Sequence, residues 1–217
     1  MMAQTLLDAQ DSPEASETLL RAPVQTVESV DQLKKINVEG VEAVIWNRVL
    51  PEYVQNWFES SALKEGPDAR EILEINEVYE YVESYFGDPD LAPEEVRTWL
   101  INDIALLAKQ TSAQFGASHI QLRIEDVRDN ACRRFHIDTV QARLVCTYFG
   151  PGTEYGLSDD EDTAPVNVSR VQTGMAILFK GKLWQGDNQK RLKHRSPPIE
   201  GLGLSRLVVV IEPASPI

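Results

Sequence analysis

The 217-residue chain has three histidines, at positions 119, 136 and 194. One lies in CRRFHID, residues 132–138. Residues i and i+2 of an extended strand share a face, so a strand here presents His136 and Asp138 together, with Phe135 and Ile137 on the apolar back. An imidazole beside a carboxylate supplies two facial metal ligands. His194, in LKHRSPP, is the candidate for the third, and Arg206 opens the apolar run SRLVVVIEP that follows. Two imidazoles and one carboxylate with open positions favour non-haem Fe(II), whereas thiolates would favour zinc or clusters. A buried arginine on the next strand suits such a site. Its planar fork can hold the distal carboxylate of a 2-oxo acid whose other end chelates the metal.

Each residue also has an ordinary reading. His136 fits a satisfied core histidine, Asp138 a turn cap before Thr139, His194 a surface loop residue beside Lys193 and Arg195, and Arg206 a strand-edge charge. The order H-x-D, a gap of 58 residues, H, then R, on strands of a plausible barrel, favours the metal reading over four separate coincidences.

The elements that must position these residues change character near residue 117. Before it, EYVQNWFESSAL predicts a short helix with Val54, Trp57, Phe58 and Ala62 on one face. Gly66-Pro67-Asp68 is a turn and helix start. AREILEINEVYEYVESYFG then predicts a helix, because Ile72, Ile75, Val78, Tyr79, Val82 and Phe86 recur at spacings of three and four, and Gly87 fits its stop. Its glutamates (Glu71, Glu74, Glu77, Glu80, Glu83) read as a solvated face. A second helix is predicted from Pro93 to Phe115, with Gly116 ending it. From 118 onward the period is two, in SHIQLRIEDV, ACRRFHID, VQARLVCTYFG, VNVSRVQTG, MAILFKGKLW and SRLVVVIEP. An isolated strand, VEAVIW, precedes the helices at 41–46. Helices followed by closely spaced strands predict an α+β fold, a β-sandwich or barrel buttressed by helices. Residues 1–25 read as a loose tail, and 26–217 as one domain with a helical buttress at about 50–116 and a β-rich core at about 118–212.

The net charge of −13 is uneven: residues 1–100 hold 21 acids and 7 bases, residues 101–217 hold 13 and 14. An acidic surface repels phosphate backbones, so nucleic acid is not an expected partner. No apolar run approaches the ~20 residues of a membrane span. The N-terminus lacks the basic and apolar regions of a signal peptide. Two cysteines, Cys132 and Cys146, make no disulfide framework and read as small packing residues. A cytoplasmic location is expected.

The H-x-D, H, R order resembles the Fe(II)/2-oxoglutarate-dependent oxygenases over about residues 118–212. CRRFHID, LVCTYFGPGTEY, the FKG of MAILFKG and HRSPPIEG are similar, more closely, to a bacterial family named domain of unknown function 1826, from about residue 41 to the C-terminus. The oxygenase resemblance implies a double-stranded β-helix (a jelly-roll, cupin-like core). It implies a dioxygenase, an oxidoreductase using iron and 2-oxoglutarate, that acts on an unidentified substrate. His136, Asp138 and His194 are the implied ligands and Arg206 the co-substrate clamp, with Arg143 and Arg195 as rivals. Thr147 or Tyr148 is a second candidate contact for the co-substrate. GPGTEYG reads either as a lid, with Glu154 and Tyr155 at its tip, or as a hairpin turn. Pro197-Pro198 stiffens the chain after His194. The alternative is a non-catalytic zinc-binding protein on the same fold.

Overall fold

The computed structural model describes residues 22–60, 68–160, 162–186 and 191–216. Ala62, Gly66, Pro67 and most of the expected N-terminal tail lie outside the described residues. The strands are β1 (Val24–Val27), β2 (Ala43–Trp46), β3 (Ala69–Glu74), β4 (His119–Val127), β5 (Ala142–Phe149), β6 (Glu154–Leu157), β7 (Ser169–Arg170), β8 (Ala176–Lys180), β9 (Leu192–Arg195) and β10 (Arg206–Ala214). The helices are α1 (Glu52–Ser60), α2 (Val78–Phe86) and α3 (Glu94–Phe115), with a 3-10 segment at Val30–Asn37. A seven-stranded sheet has the order β1-β2-β8-β5-β10-β4-β3, and a three-stranded sheet the order β7-β6-β9. The chain is mixed α+β with a sheet-rich core.

Alternation along the central strands explains the layers. Leu144, Cys146 and Tyr148 of β5, with Leu207, Val209 and Ile211 of β10, join the core shared with α1, α2 and α3. Their neighbours Val145, Val208 and Val210 join a second core with Val171, Leu192 of β9 and Ile199. Strands buried on both faces read as continuous apolar runs, which is why LVVVI shows no alternation in hydropathy. Helix α3 turns Val96, Leu100, Ile104 and Leu107 inward. Gly116 ends it at φ 59°, its N–H bonded to Ser112 O, where a side chain would be strained.

Several expectations need correction. Residues 69–74 are an edge strand, not the first turns of a helix. Ala69, Leu73 and Ile75 also recur at a spacing that places them on the core side of a strand, and pairing with β4 decides between the two periods. Arg70, Glu71 and Glu74 suit an exposed sheet edge. Only Val78–Phe86 is helical, so the helical buttress is interrupted by a strand. Val24 and Gln25, read as tail, belong to β1, which pairs in parallel with β2. CRRFHID is not a regular strand: it follows a turn with Ala131 at φ 39° and, among the described residues, its backbone pairs with a strand only as an isolated bridge between His136 and His194. His194 lies within a strand, β9, rather than in a loop.

Among the described residues, no helix is long and apolar enough to cross a membrane.

Candidate metal centre

His136 and His194 form a reciprocal backbone pair, each N–H donating to the other's carbonyl at 3.0 Å. An antiparallel pair of this kind sets the two side chains next to each other on one face. Their ring centroids are 4.7 Å apart. Phe179 of β8 stacks on His194 at 4.4 Å and fixes its ring plane. Asp138 is held from behind, its carbonyl accepting the Lys182 N–H at 2.8 Å. Gly181 permits that close approach, since a Cβ there would lie 1.9 Å from Val140 O. The glycine of the FKG motif thus supports the aspartate's backbone.

The three side chains converge. His136 Nε2 lies 3.3 Å from Asp138 Oδ1, and His194 Nε2 lies 2.9 Å from Asp138 Oδ2. One possible ligand atom from each lies within 4.8 Å of the others. Despite the short approach of His194, Asp138 Oδ2 is buried with no hydrogen-bond partner among the described residues. Such an oxygen is costly to leave bare, and a cation between it and the imidazoles removes the cost. His136 Nδ1 lies 2.8 Å from Arg134 O. A carbonyl only accepts, so Nδ1 carries the proton and Nε2 offers its lone pair inward. Two imidazole nitrogens and one carboxylate oxygen fit a divalent first-row metal such as Fe(II).

Burial opposes ionisation of Asp138, yet contacts with His136 and His194 and the charge of Arg143 hold its carboxyl well below the usual carboxylate range. Contact with Asp138 raises the His136 pKa above its ordinary value against the effect of burial. Burial lowers the His194 pKa, outweighing its contact with Asp138.

Arg206 lines the same pocket as His136 and His194. It is 1% exposed. Its guanidinium donates to Pro151 O at 2.6 Å, Ser196 Oγ at 2.9 Å, Thr147 Oγ1 at 3.3 Å and Thr153 Oγ1 at 3.5 Å. All four acceptors are neutral, and no carboxylate pairs with it among the described residues. Burial accordingly brings its pKa down to about 10, with Glu125 pulling the other way.

The rival arginines line this pocket too but are already engaged. Arg143 contacts Asp138 Oδ1 and Glu212. Arg195 donates to Glu154 at 2.8 Å and lies over the Phe135 ring. Thr147 meets Arg206, whereas Tyr148 lies on the helix side of β5, where its hydroxyl donates to Asp103 Oδ2 at 2.5 Å. Its place as a co-substrate contact is therefore corrected. Strand alternation causes the separation: Tyr148 follows Leu144 and Cys146 onto the helix face, whereas Thr147 follows Val145 onto the inner face. Glu154 is also not at a loop tip. It begins β6, buried between Arg170 and Arg195.

Sequence reasoning missed two supports. Asn130 Oδ1 accepts the N–H groups of Ile199 and Glu200 at 2.9 and 3.1 Å, tying the loop before His136 to the segment after His194. Ser196 donates its N–H to Cys132 O and its Oγ accepts from Arg206. The only local signal was the presence of turn-forming Asp129-Asn130.

A family model described as "Protein of unknown function (DUF1826)" matches residues 27–212. The chain belongs to this family. No curated protein matches the sequence. Among solved structures, the DUF1826 chain is similar to the rice dioxygenase for auxin oxidation, with 13% identity, 86% of this chain and 78% of that one covered, and a TM-score of 0.47. It is similar to the 2-oxoglutarate complex of dioxygenase for auxin oxidation 1 from Arabidopsis thaliana, with 12% identity, coverage of 91% and 94%, and a TM-score of 0.47. It is also similar to a Pseudomonas putida prolyl-4-hydroxylase, with 12% identity, coverage of 87% and 100%, and a TM-score of 0.46. Likeness at this level is too low to carry the chemistry of those enzymes over to DUF1826.

Proposed function

We propose that this chain is an Fe(II)/2-oxoglutarate-dependent oxygenase acting on an unidentified substrate. The observation that carries the reading is a buried cation without an anion, Arg206, in the pocket that also holds His136 and His194. A guanidinium kept from water and matched only to neutral acceptors is an incomplete site, and a carboxylate completes it bidentately. In this reading His136, Asp138 and His194 hold the iron, and Arg206 holds the distal carboxylate of 2-oxoglutarate with Thr147 beside it. Bound iron and 2-oxoglutarate supply the oxidative chemistry with dioxygen.

The chain's own residues orient and enclose. Phe179 fixes the His194 ring. Arg134 O fixes the His136 tautomer. Val208 and Val210 make the wall of the same pocket apolar and help to exclude water. We also read the two sheets as a double-stranded β-helix and the described chain from β1 to β10 as one domain. Successive strands support this: β4 to the larger sheet, His136 to the smaller, β5 to the larger, β6 and β7 to the smaller, then β8, β9 and β10 alternating. No observation favours the zinc alternative, which leaves Arg206 without a role.

The test is a succinate assay on protein supplied with Fe(II), 2-oxoglutarate and oxygen. We expect slow succinate formation without added substrate, abolished in His194→Ala. Succinate formation equal in the two proteins, or absent from the wild type with a panel of candidate substrates, contradicts the reading.

A further inference from the structure

The charges behind Asp138 bear on how it meets a metal, an inference that rests on the metal reading above. Arg143 lies on β5 with its side chain 17% exposed and contacts Asp138 Oδ1. It is held on the other side by Glu212 of β10, whose Oε1 lies 2.5 Å from both Arg143 Nε and Nη2. Glu212 is itself 3.9 Å from Arg123 Nη2 of β4, and Arg123 Nη1 lies 3.2 Å from Glu125. Asp138, Arg143, Glu212, Arg123 and Glu125 thus alternate in sign across the inner wall. A guanidinium bound from both sides has little freedom to swing, and its bond to Oδ1 is charge-assisted. Oδ2 accepts no hydrogen bond among the described residues and lies 2.9 Å from His194 Nε2.

We propose that Arg143, anchored by Glu212, is a positioning residue that presents Asp138 to the metal through Oδ2 alone. A carboxylate with both oxygens free can turn about its own axis and chelate through either or both. One pinned by Arg143 offers a single ligand atom in a set direction. This leaves more of the coordination sphere for other ligands. It also accounts for an arginine in the site pocket that is not available to a co-substrate.

The test is a Co(II) titration of the full chain, followed by the visible ligand-field absorption of the bound ion, with metal-free melting measured in parallel. The wild type is expected to saturate with one Co(II), and His194→Ala to lose that spectrum. Arg143→Gln is expected to bind about 10- to 100-fold more weakly, the usual effect of losing a group that orients a ligand, with an altered band shape. Arg143→Lys restores the charge but not the fork and should fall between. Glu212→Gln, which keeps Arg143 but loosens its anchor, should shift affinity the same way by less, and serves if Arg143→Gln does not fold. Wild-type affinity and band shape in Arg143→Gln or Glu212→Gln, whatever happens to melting, overturn the proposal. A wild type that gives no Co(II) spectrum overturns the metal reading itself, and this inference with it.

Discussion

The seven-stranded sheet packs an arginine against each face, Arg48 largely enclosed and Arg206 buried, and treats the two differently. On the helix face Arg48 has its anion. Its Nη1 contacts Asp103 Oδ1, its Nη2 lies 2.7 Å from Asp103 Oδ2 and its Nε donates to Gly174 O at 2.7 Å. Tyr148 donates to the same carboxylate, and the Trp46 ring lies 4.4 Å from the guanidinium. Burial alone would lower the Arg48 pKa, but Asp103 outweighs it and the pKa rises. On the inner face Arg206 has only neutral acceptors, and its pKa falls to about 10 through burial. A cluster whose charges are matched inside the protein belongs to the fold. In the reading proposed above, the buried charge left without a carboxylate is where a ligand completes the site.

The contrast can be broken at the closed cluster first. Asp103→Ala strands Arg48 and the Tyr148 hydroxyl together. Removing one partner of a buried ion pair costs about 3–5 kcal/mol, read as a fall in the denaturant midpoint, while 2-oxoglutarate binding by the folded protein stays unchanged. A cost under about 1 kcal/mol, the range of surface ion pairs, would mean that the cluster is not the closed unit described.

A smaller effect sharpens the same division. Cys146 lies on the helix face, and burial pushes its thiol up to about 11. Cys132 is exposed beside the inner pocket. Thiol labelling of the native protein should therefore modify one cysteine per chain quickly, with Cys132→Ser removing the reaction. Rapid labelling of both would show that the helix face opens easily.

Much of this was legible in the sequence because it is local. The spacing of Val96, Leu100, Ile104 and Leu107 with Gly116 marked α3, and alternation marked β4. The relation of His136 to Asp138 survived even though their segment is not a regular strand. The backbone pair with His194 and the bond from Lys182 hold them in place instead. What was not legible depends on distant partners. Residues 69–74 satisfy both helical and strand spacing, and only the unpaired edge of β4 chooses between them. Thr147 and Tyr148 must lie on opposite faces of their strand, but which of them meets the helices is set by packing against Asp103 of α3 on one side and Arg206 on the other. Arg143, Arg195 and Arg206 look alike in sequence. Their different roles come from Glu212, Glu154 and the lack of any carboxylate in ion-pair contact with Arg206 among the described residues.

That last difference is the centre of the account, and one measurement tests it directly: calorimetric titration of 2-oxoglutarate into anaerobic, Mn(II)-loaded wild type and Arg206→Met. The substitution leaves only neutral acceptors without a donor, so it should cost about 1–2 kcal/mol of stability and leave Mn(II) binding intact. The account predicts saturable, metal-dependent binding of one 2-oxoglutarate per chain in the wild type and its loss in Arg206→Met. Equal binding in the two proteins, or no binding in a metal-loaded wild type, would contradict it.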